Sequence, residues 1–136
     1  AVVDYAQPIS QSDIWTFSNS TTASDPGTGK FRLNNGTQGS STAIYLSKTS
    51  KSGEEHSLEN LVLDAEFRIT EAGSLNGHTI KVTGAFTDNT TWVNIPITVV
   101  NSLGSLGNNK DSLFQEVFGA SSLGNQRNLT SATTNR

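Results

Sequence analysis

Short segments in which apolar and polar residues alternate run through most of the chain from residue 14 onward. The clearest is segment 91–100, where apolar residues occupy every second position and therefore share one face of a strand. These residues are Val93, Ile95, Ile97 and Val99. Pro96 lies within the same segment and cannot donate a backbone hydrogen bond, which predicts an edge strand or a bulge at that point.

Turn-forming residues separate these segments at intervals of about 8 to 12 residues, which is typical of an all-β domain. The turns include Asp-Pro-Gly-Thr-Gly at 25–29 and Asn-Asn-Gly at 34–36, and segment 112–118 is a candidate last strand. The pattern predicts a β-sandwich or jelly roll of about seven to eight short antiparallel strands. The only plausible helix is a short one over 58–63, where apolar residues fall at i, i+3, i+4 and i+5 and Ser57 is a candidate N-cap.

Both ends of the chain differ from the centre in having few large apolar residues. We therefore predict an N-terminal arm over 1–13, a single β domain over 14–120 and a C-terminal tail over 121–136. The N-terminus has no basic, apolar signal-peptide pattern, and we expect the chain to be an essentially complete gene product.

Composition narrows the classes of function. Even with its 12 glycines the chain is less apolar than a typical globular domain, and Ser, Thr and Asn make up the difference. The net charge of −3, without a concentrated basic face, argues against nucleic-acid binding. Cysteine is absent, which excludes disulfides and Cys-ligated zinc, and no apolar run is long enough to span a membrane.

The residues that could carry chemistry do not form a recognisable catalytic pattern. His56 follows Glu54 and Glu55, which raises the question of a metal site, but consecutive residues do not readily face one ion, and a solvated loop is the preferred interpretation. We expect His78 to lie in a glycine-flanked turn. Asp64 and Glu66 could share a strand face as paired carboxylates, although exposed charge is the simpler interpretation. We therefore predict no catalytic, cofactor-binding or metal-binding residues, no cofactor and no enzymatic activity.

Three aromatic residues raise the alternative of a sugar-stacking platform: Trp15, Tyr45 and Trp92. Trp92 points away from the Val93 face of its predicted strand. It would then belong to a second core layer or to a subunit interface, and a carbohydrate site remains an alternative.

The centre of the chain resembles a β module of tailed-bacteriophage head-fibre and tail-fibre proteins. The resemblance covers about residues 14–107 and runs in order through 14–17, 25–35, 42–47, 67–70, 82–89 and 92–100. Its most specific part is the string Asp-Pro-Gly-x-Gly-x-x-Arg-x-Asn-Asn, which begins at Asp25. The chain departs from the module at its end, where Leu103 to Phe118 replaces the expected Gly-Asp turn and Val-rich strand, and no collagen-like or fibre-shaft sequence follows.

A single module with two extended ends is more similar to a capsid decoration (cement) protein than to part of a long fibre. The resemblance implies a structural protein on the outer surface of the capsid, made in the host cytoplasm, which binds across major capsid protein subunits and stabilises the DNA-filled head. The alternatives are a tail-fibre, baseplate or receptor-binding component and a carbohydrate-binding module.

We expect the contacts to come from the two chain ends and from a self-associating face that makes a dimer or trimer. The predicted interaction residues are Val2, Val3 and Tyr5 in the arm, Leu123 and Leu129 in the tail, and Trp92, Phe114 and Phe118 on the self-associating face.

Overall fold

The computed structural model describes residues 8, 9 and 13–117, which form eight β-strands and one turn of 3-10 helix. The strands are β1 (Asp13–Ser18), β2 (Lys30–Leu33), β3 (Ala43–Ser47), β4 (Glu66–Glu71), β5 (Gly77–Val82), β6 (Thr87–Asp88), β7 (Trp92–Leu103) and β8 (Asp111–Val117), and the 3-10 turn is Gln38–Ser40. The prediction of an all-β protein is confirmed. The predicted last strand is also confirmed as far as Val117.

Seven of the described strands close into a barrel, so the predicted sandwich or jelly roll is wrong. Their order is β3-β2-β1-β8-β4-β5-β7, and β7 pairs again with β3. The twelve-residue β7 makes this closure, because Trp92–Pro96 pairs with β3 while its second half pairs with β5. The short β6 pairs with the first half of β7 outside the ring. Side chains point alternately inward and outward along the strands of both a sandwich and a barrel. The sequence pattern therefore does not distinguish the two folds.

One pair of strands is parallel, whereas the sequence predicted antiparallel strands only. β1 and β2 run in the same direction, with Thr16 opposite Lys30. Residues 19–29 are a long connection rather than a hairpin turn, and a connection of that kind can return the chain along the barrel before the next strand starts.

Aromatic rings fill the centre of the barrel. The ring of Phe114 lies 4.9 Å from that of Trp15 and 4.9 Å from that of Phe31, in edge-to-face geometry with both. Phe114 is 2% exposed, so the ring that we predicted on a self-associating face belongs to the core. Ile9 is also buried, and its carbonyl oxygen accepts a hydrogen bond from Nδ2 of Asn60 at 2.8 Å. At least this part of the predicted N-terminal arm packs on the barrel.

The predicted helix over 58–63 is absent. Two separate turns replace it: the Leu61 N–H donates to the Leu58 carbonyl at 3.1 Å, and the Ala65 N–H donates to the Val62 carbonyl at 3.0 Å. Within the second turn Asp64 takes a positive φ of 70°, which a continuing right-handed helix does not allow. The apolar spacing that suggested a helix results from a loop in which Leu61 enters the core.

Pro96 is accommodated without an edge strand or a bulge at its own position. Its carbonyl oxygen accepts a hydrogen bond from the Thr83 N–H at 2.9 Å, and the next N–H, that of Ile97, donates to Thr42 on the opposite side. The proline nitrogen therefore lies on the side of β7 that pairs with β6 before Pro96 and with β5 after it. Neither strand pairs with Pro96 itself, so the missing N–H costs no ladder hydrogen bond. The bulge in β7 lies farther along, at Val100, which has no partner in β5.

The strand register defines one end of the barrel, which we call the lower end. Glu66 at the start of β4 pairs with Lys81 near the end of β5 and with Val117 at the end of β8. Ser47 ends β3 opposite Trp92, which begins β7. The β3–β4 connection over 48–65 lies at this end. The described part of the chain also enters β1 and leaves β8 here.

Candidate docking groove at the lower end of the barrel

A groove lined mainly by apolar side chains opens to solvent at the lower end. Its volume is about 540 Å³, and it lies between the β3–β4 connection and the segment that follows β5. We call it the docking groove, and it is lined by Leu61, Val62, Leu63, Thr83, Gly84, Ala85 and Phe86.

The two turns of the β3–β4 connection determine which apolar side chains face the core. Leu61 is 4% exposed and belongs to the core cluster, whereas Leu63 is 63% exposed and Val62 is also largely exposed. Phe86 packs partly against the core from the opposite wall. Contiguous exposed apolar surface of this kind marks interaction sites more often than isolated exposed residues do.

Backbone hydrogen bonds hold the two walls of the docking groove together. The Asp64 N–H donates to the Val82 carbonyl at 2.8 Å, and the Val82 N–H donates to the Ala65 carbonyl at 2.8 Å. The Thr83 N–H in turn donates a hydrogen bond to the Pro96 carbonyl. The groove is therefore largely preformed, as binding pockets usually are.

The rim of the groove carries one charged pair. Nζ of Lys81 lies 3.7 Å from Oδ1 of Asp64, and both side chains are exposed. A pair of this kind contributes little to stability because water screens it. An apolar surface with charged residues beside it is consistent with the composition of an interface core and rim.

His56 does not lie in a solvated loop, and this corrects the sequence interpretation. The side chain is 3% exposed, and its ring centroid lies 5.2 Å from that of Trp15. Nε2 of His56 is 3.6 Å from Oδ1 of Asp13, and Glu54 completes a group whose ligand atoms all lie within 4.8 Å of one another. Asp13 is far from His56 in the sequence, so only the fold reveals this cluster.

His78 lies in β5 rather than in a turn and is buried near the opposite, upper end of the barrel. Nδ1 is 2.8 Å from Oγ of Ser102, and Nε2 is 2.8 Å from Oε1 of Gln38. Burial, with a smaller contribution from the positive charge of Arg68, lowers the pKa of His78. The neutral imidazole therefore acts as a structural link between β5, β7 and the 3-10 turn.

The aromatic residues do not form a sugar-stacking platform. Trp15 is fully buried and donates its Nε1–H to the Ser47 carbonyl at 2.9 Å. Tyr45 is also buried, with its ring centroid 5.9 Å from that of Trp92. Of the three rings only that of Trp92 is partly accessible, and its role at a subunit interface stays a prediction.

The paired-carboxylate geometry considered for Asp64 and Glu66 is not formed. Asp64 is an exposed turn residue, and Glu66 is the first residue of β4. The remaining predicted interaction residues lie outside the described part of the chain: Val2, Val3, Tyr5, Phe118, Leu123 and Leu129. Within residues 8, 9 and 13–117, no helix has the length and apolar character needed to cross a bilayer.

Comparison of the chain with protein-family models, with curated proteins and with solved structures gave no significant match. The resemblance to phage virion modules therefore stays a prediction from the sequence.

Proposed function

We propose that this protein is a non-enzymatic structural component of a bacteriophage particle: a decoration protein that binds the outer surface of the assembled capsid through the docking groove. The observation that supports the proposal is an apolar, solvent-open groove at the end of the barrel where the chain enters β1 and leaves β8. The occupant to which we assign it is an apolar contact on the major capsid protein.

The groove alone is small for a stable interface, and the proposal therefore assigns the chain ends to the same contact. A stable protein–protein interface uses about 20 to 30 residues a side, and the groove is lined by seven. Residues 118–136 continue from Val117 at the lower end, beside Glu66. We assign the tail and the N-terminal arm to the same partner because the described chain enters β1 and leaves β8 at the groove end, and they would supply the area that the groove alone does not.

Binding of this kind stabilises a capsid by linkage. A protein that binds only the assembled shell shifts the equilibrium toward the shell, as a ligand that binds only the folded state stabilises folding. A contact that crosses a subunit boundary must also be broken before the subunits separate. Resistance to the pressure of packaged DNA increases accordingly.

The first test is co-sedimentation of the full chain with DNA-filled, tailless heads that lack this protein, followed by measurement of the temperature at which DNA is released. We expect saturable binding at a fixed number of copies per head and release at a higher temperature. Absence of binding to the heads would overturn the proposal, and adsorption to host cells instead would indicate a tail or receptor-binding component.

A matched pair of variants tests the role of the groove. Leu63→Asp places a charge on an exposed groove residue, whereas Leu75→Asp places the same charge on a 75% exposed leucine in the β4–β5 turn at the upper end. Both variants should fold with unchanged Tm because neither residue is in the core. We expect only Leu63→Asp to reduce head binding, by at least tenfold. Equal binding by the two variants would show that the groove is not the contact.

A further inference from the structure

We propose that Asp13, Glu54 and His56 form a binding site for a divalent transition-metal cation, with Zn²⁺ as the ion that best suits the ligands. The site is separate from the docking groove and does not depend on the proposed function.

The chemistry of the three side chains supports this assignment. One imidazole and two carboxylates are a mixed nitrogen and oxygen set, which suits Zn²⁺ better than Ca²⁺ because calcium takes oxygen ligands. Two ligands of a tetrahedral zinc ion lie about 3.4 Å apart, given Zn–N and Zn–O distances of about 2.1 Å. The observed 3.6 Å between Nε2 of His56 and Oδ1 of Asp13 is close to that separation. The third ligand, Glu54, already has a carboxylate oxygen within 4.8 Å of the other two ligand atoms, and its side chain is exposed and can adjust to the ion.

The backbone around the site is fixed before any ion binds. The His56 N–H donates to the Lys48 carbonyl at 2.8 Å, and the Ser50 N–H donates to the Glu54 carbonyl at 2.8 Å. The Trp15 ring packs against the imidazole and restricts its orientation. Asp13 lies in β1, and His56 is held by its backbone hydrogen bond and by the Trp15 ring. Their fixed positions reduce the entropy lost on metal binding.

Burial and charge also favour a cation here. Asp13 is 9% exposed, and a carboxylate removed from water is stabilised by a nearby positive charge. A divalent ion held by the imidazole would offset the charge of the two carboxylates. The exposed position of Glu54 gives that ion a path from solvent.

The test is titration of the full chain with ZnCl₂ by calorimetry, with CaCl₂ as the comparison, together with ¹⁵N spectra of the histidine rings. The chain contains two histidines, so the assignment is direct. We expect one Zn²⁺ per chain, a change in the His56 ring signals without a change in those of His78, and a Tm that rises with Zn²⁺ and returns to its starting value with EDTA. Ca²⁺ should bind at least tenfold more weakly.

Two neighbouring glutamates provide the matched variants. Glu54→Gln removes a ligand from an exposed position, and Glu55→Gln makes the same change one residue away, outside the cluster. Neither side chain is buried, so both variants should fold. We expect Glu54→Gln to weaken Zn²⁺ binding at least tenfold and Glu55→Gln to leave it unchanged. Equal affinities for the two variants, an unaltered His56 signal or no binding at submillimolar Zn²⁺ would each overturn the proposal and leave a simple Asp–His pair.

Discussion

Gly77 occupies a position in β5 where no other residue fits, and replacing it with alanine should destabilise the barrel strongly. A Cβ built at this position would lie only 2.0 Å from the Ile69 carbonyl oxygen and 3.1 Å from Cα of Thr70. Ordinary contact of a Cβ atom begins at about 3.4 Å, so the β4 and β5 backbones would have to separate by more than an ångström. This displacement strains the tightly packed barrel and weakens about one or two ladder hydrogen bonds. With about 1 to 3 kcal/mol for overpacking and about 1 kcal/mol for each weakened bond, we expect a loss of about 2 to 4 kcal/mol.

Urea unfolding followed by tryptophan fluorescence measures this loss, because Trp15 is fully buried in the folded barrel. Gly84→Ala is the matched control, since its Cβ would meet nothing nearer than Cγ of Pro96 at 3.6 Å. We expect the control to change stability by less than about 0.5 kcal/mol, as most surface substitutions do. If Gly77→Ala were as stable as Gly84→Ala, the close approach of β4 to β5, and with it the register of Thr70 opposite Gly77, would be wrong.

Three further predictions concern the core, the buried histidine and the β3–β4 connection. Trp15→Phe should cost about 2 to 4 kcal/mol in urea unfolding, because it leaves a cavity and removes the donor to the Ser47 carbonyl; a loss below about 1 kcal/mol would contradict that burial. Because the folded-state pKa of His78 lies below its unfolded value of about 6.5, its stabilising effect should be complete above that pH and decline as the pH falls through the folded-state pKa. Unfolding free energies at pH 7.5 and pH 5 measure this effect. In His78→Gln the unfolding free energy should depend less on pH than in the unaltered chain, and an equal dependence would contradict the prediction. Leu61→Ala should cost about 2 to 4 kcal/mol while Leu63→Ala changes stability by less than about 0.5 kcal/mol; similar thermal shifts for the two would argue against the observed turns.

The strands could be predicted from the sequence because each has one face in the core. Val93, Ile95 and Ile97 are all buried, as their spacing predicts. Barrel closure could not be predicted, because it depends on β7 pairing with β3 along one half and with β5 along the other. That arrangement is a property of register, and alternation, with its period of two, does not distinguish registers that differ by two residues.

The side chains with chemistry were harder to predict than the strands. His56 follows two glutamates, and such a charged run normally lies in solvent. The fold places its ring against Trp15 and close to Asp13, and the sequence contains no local signal for either contact. The helical spacing over 58–63 was misleading for a related reason, because Leu61 is buried by a turn and not by one face of a helix.

The proposed cation site and the docking groove share the β3–β4 connection, which raises the question of whether they are coupled. Coupling requires an element that both ligands bias toward one of two arrangements. The groove half of the connection is already fixed to β5 by two backbone hydrogen bonds through Val82, so a cation at His56 has little there to change. The cation would instead hold the start of β1, where Asp13 continues into the N-terminal segment. Zn²⁺ should therefore raise the Tm without altering groove contacts, and any dependence of head binding on Zn²⁺ would implicate the N-terminal arm rather than Leu63 and its neighbours.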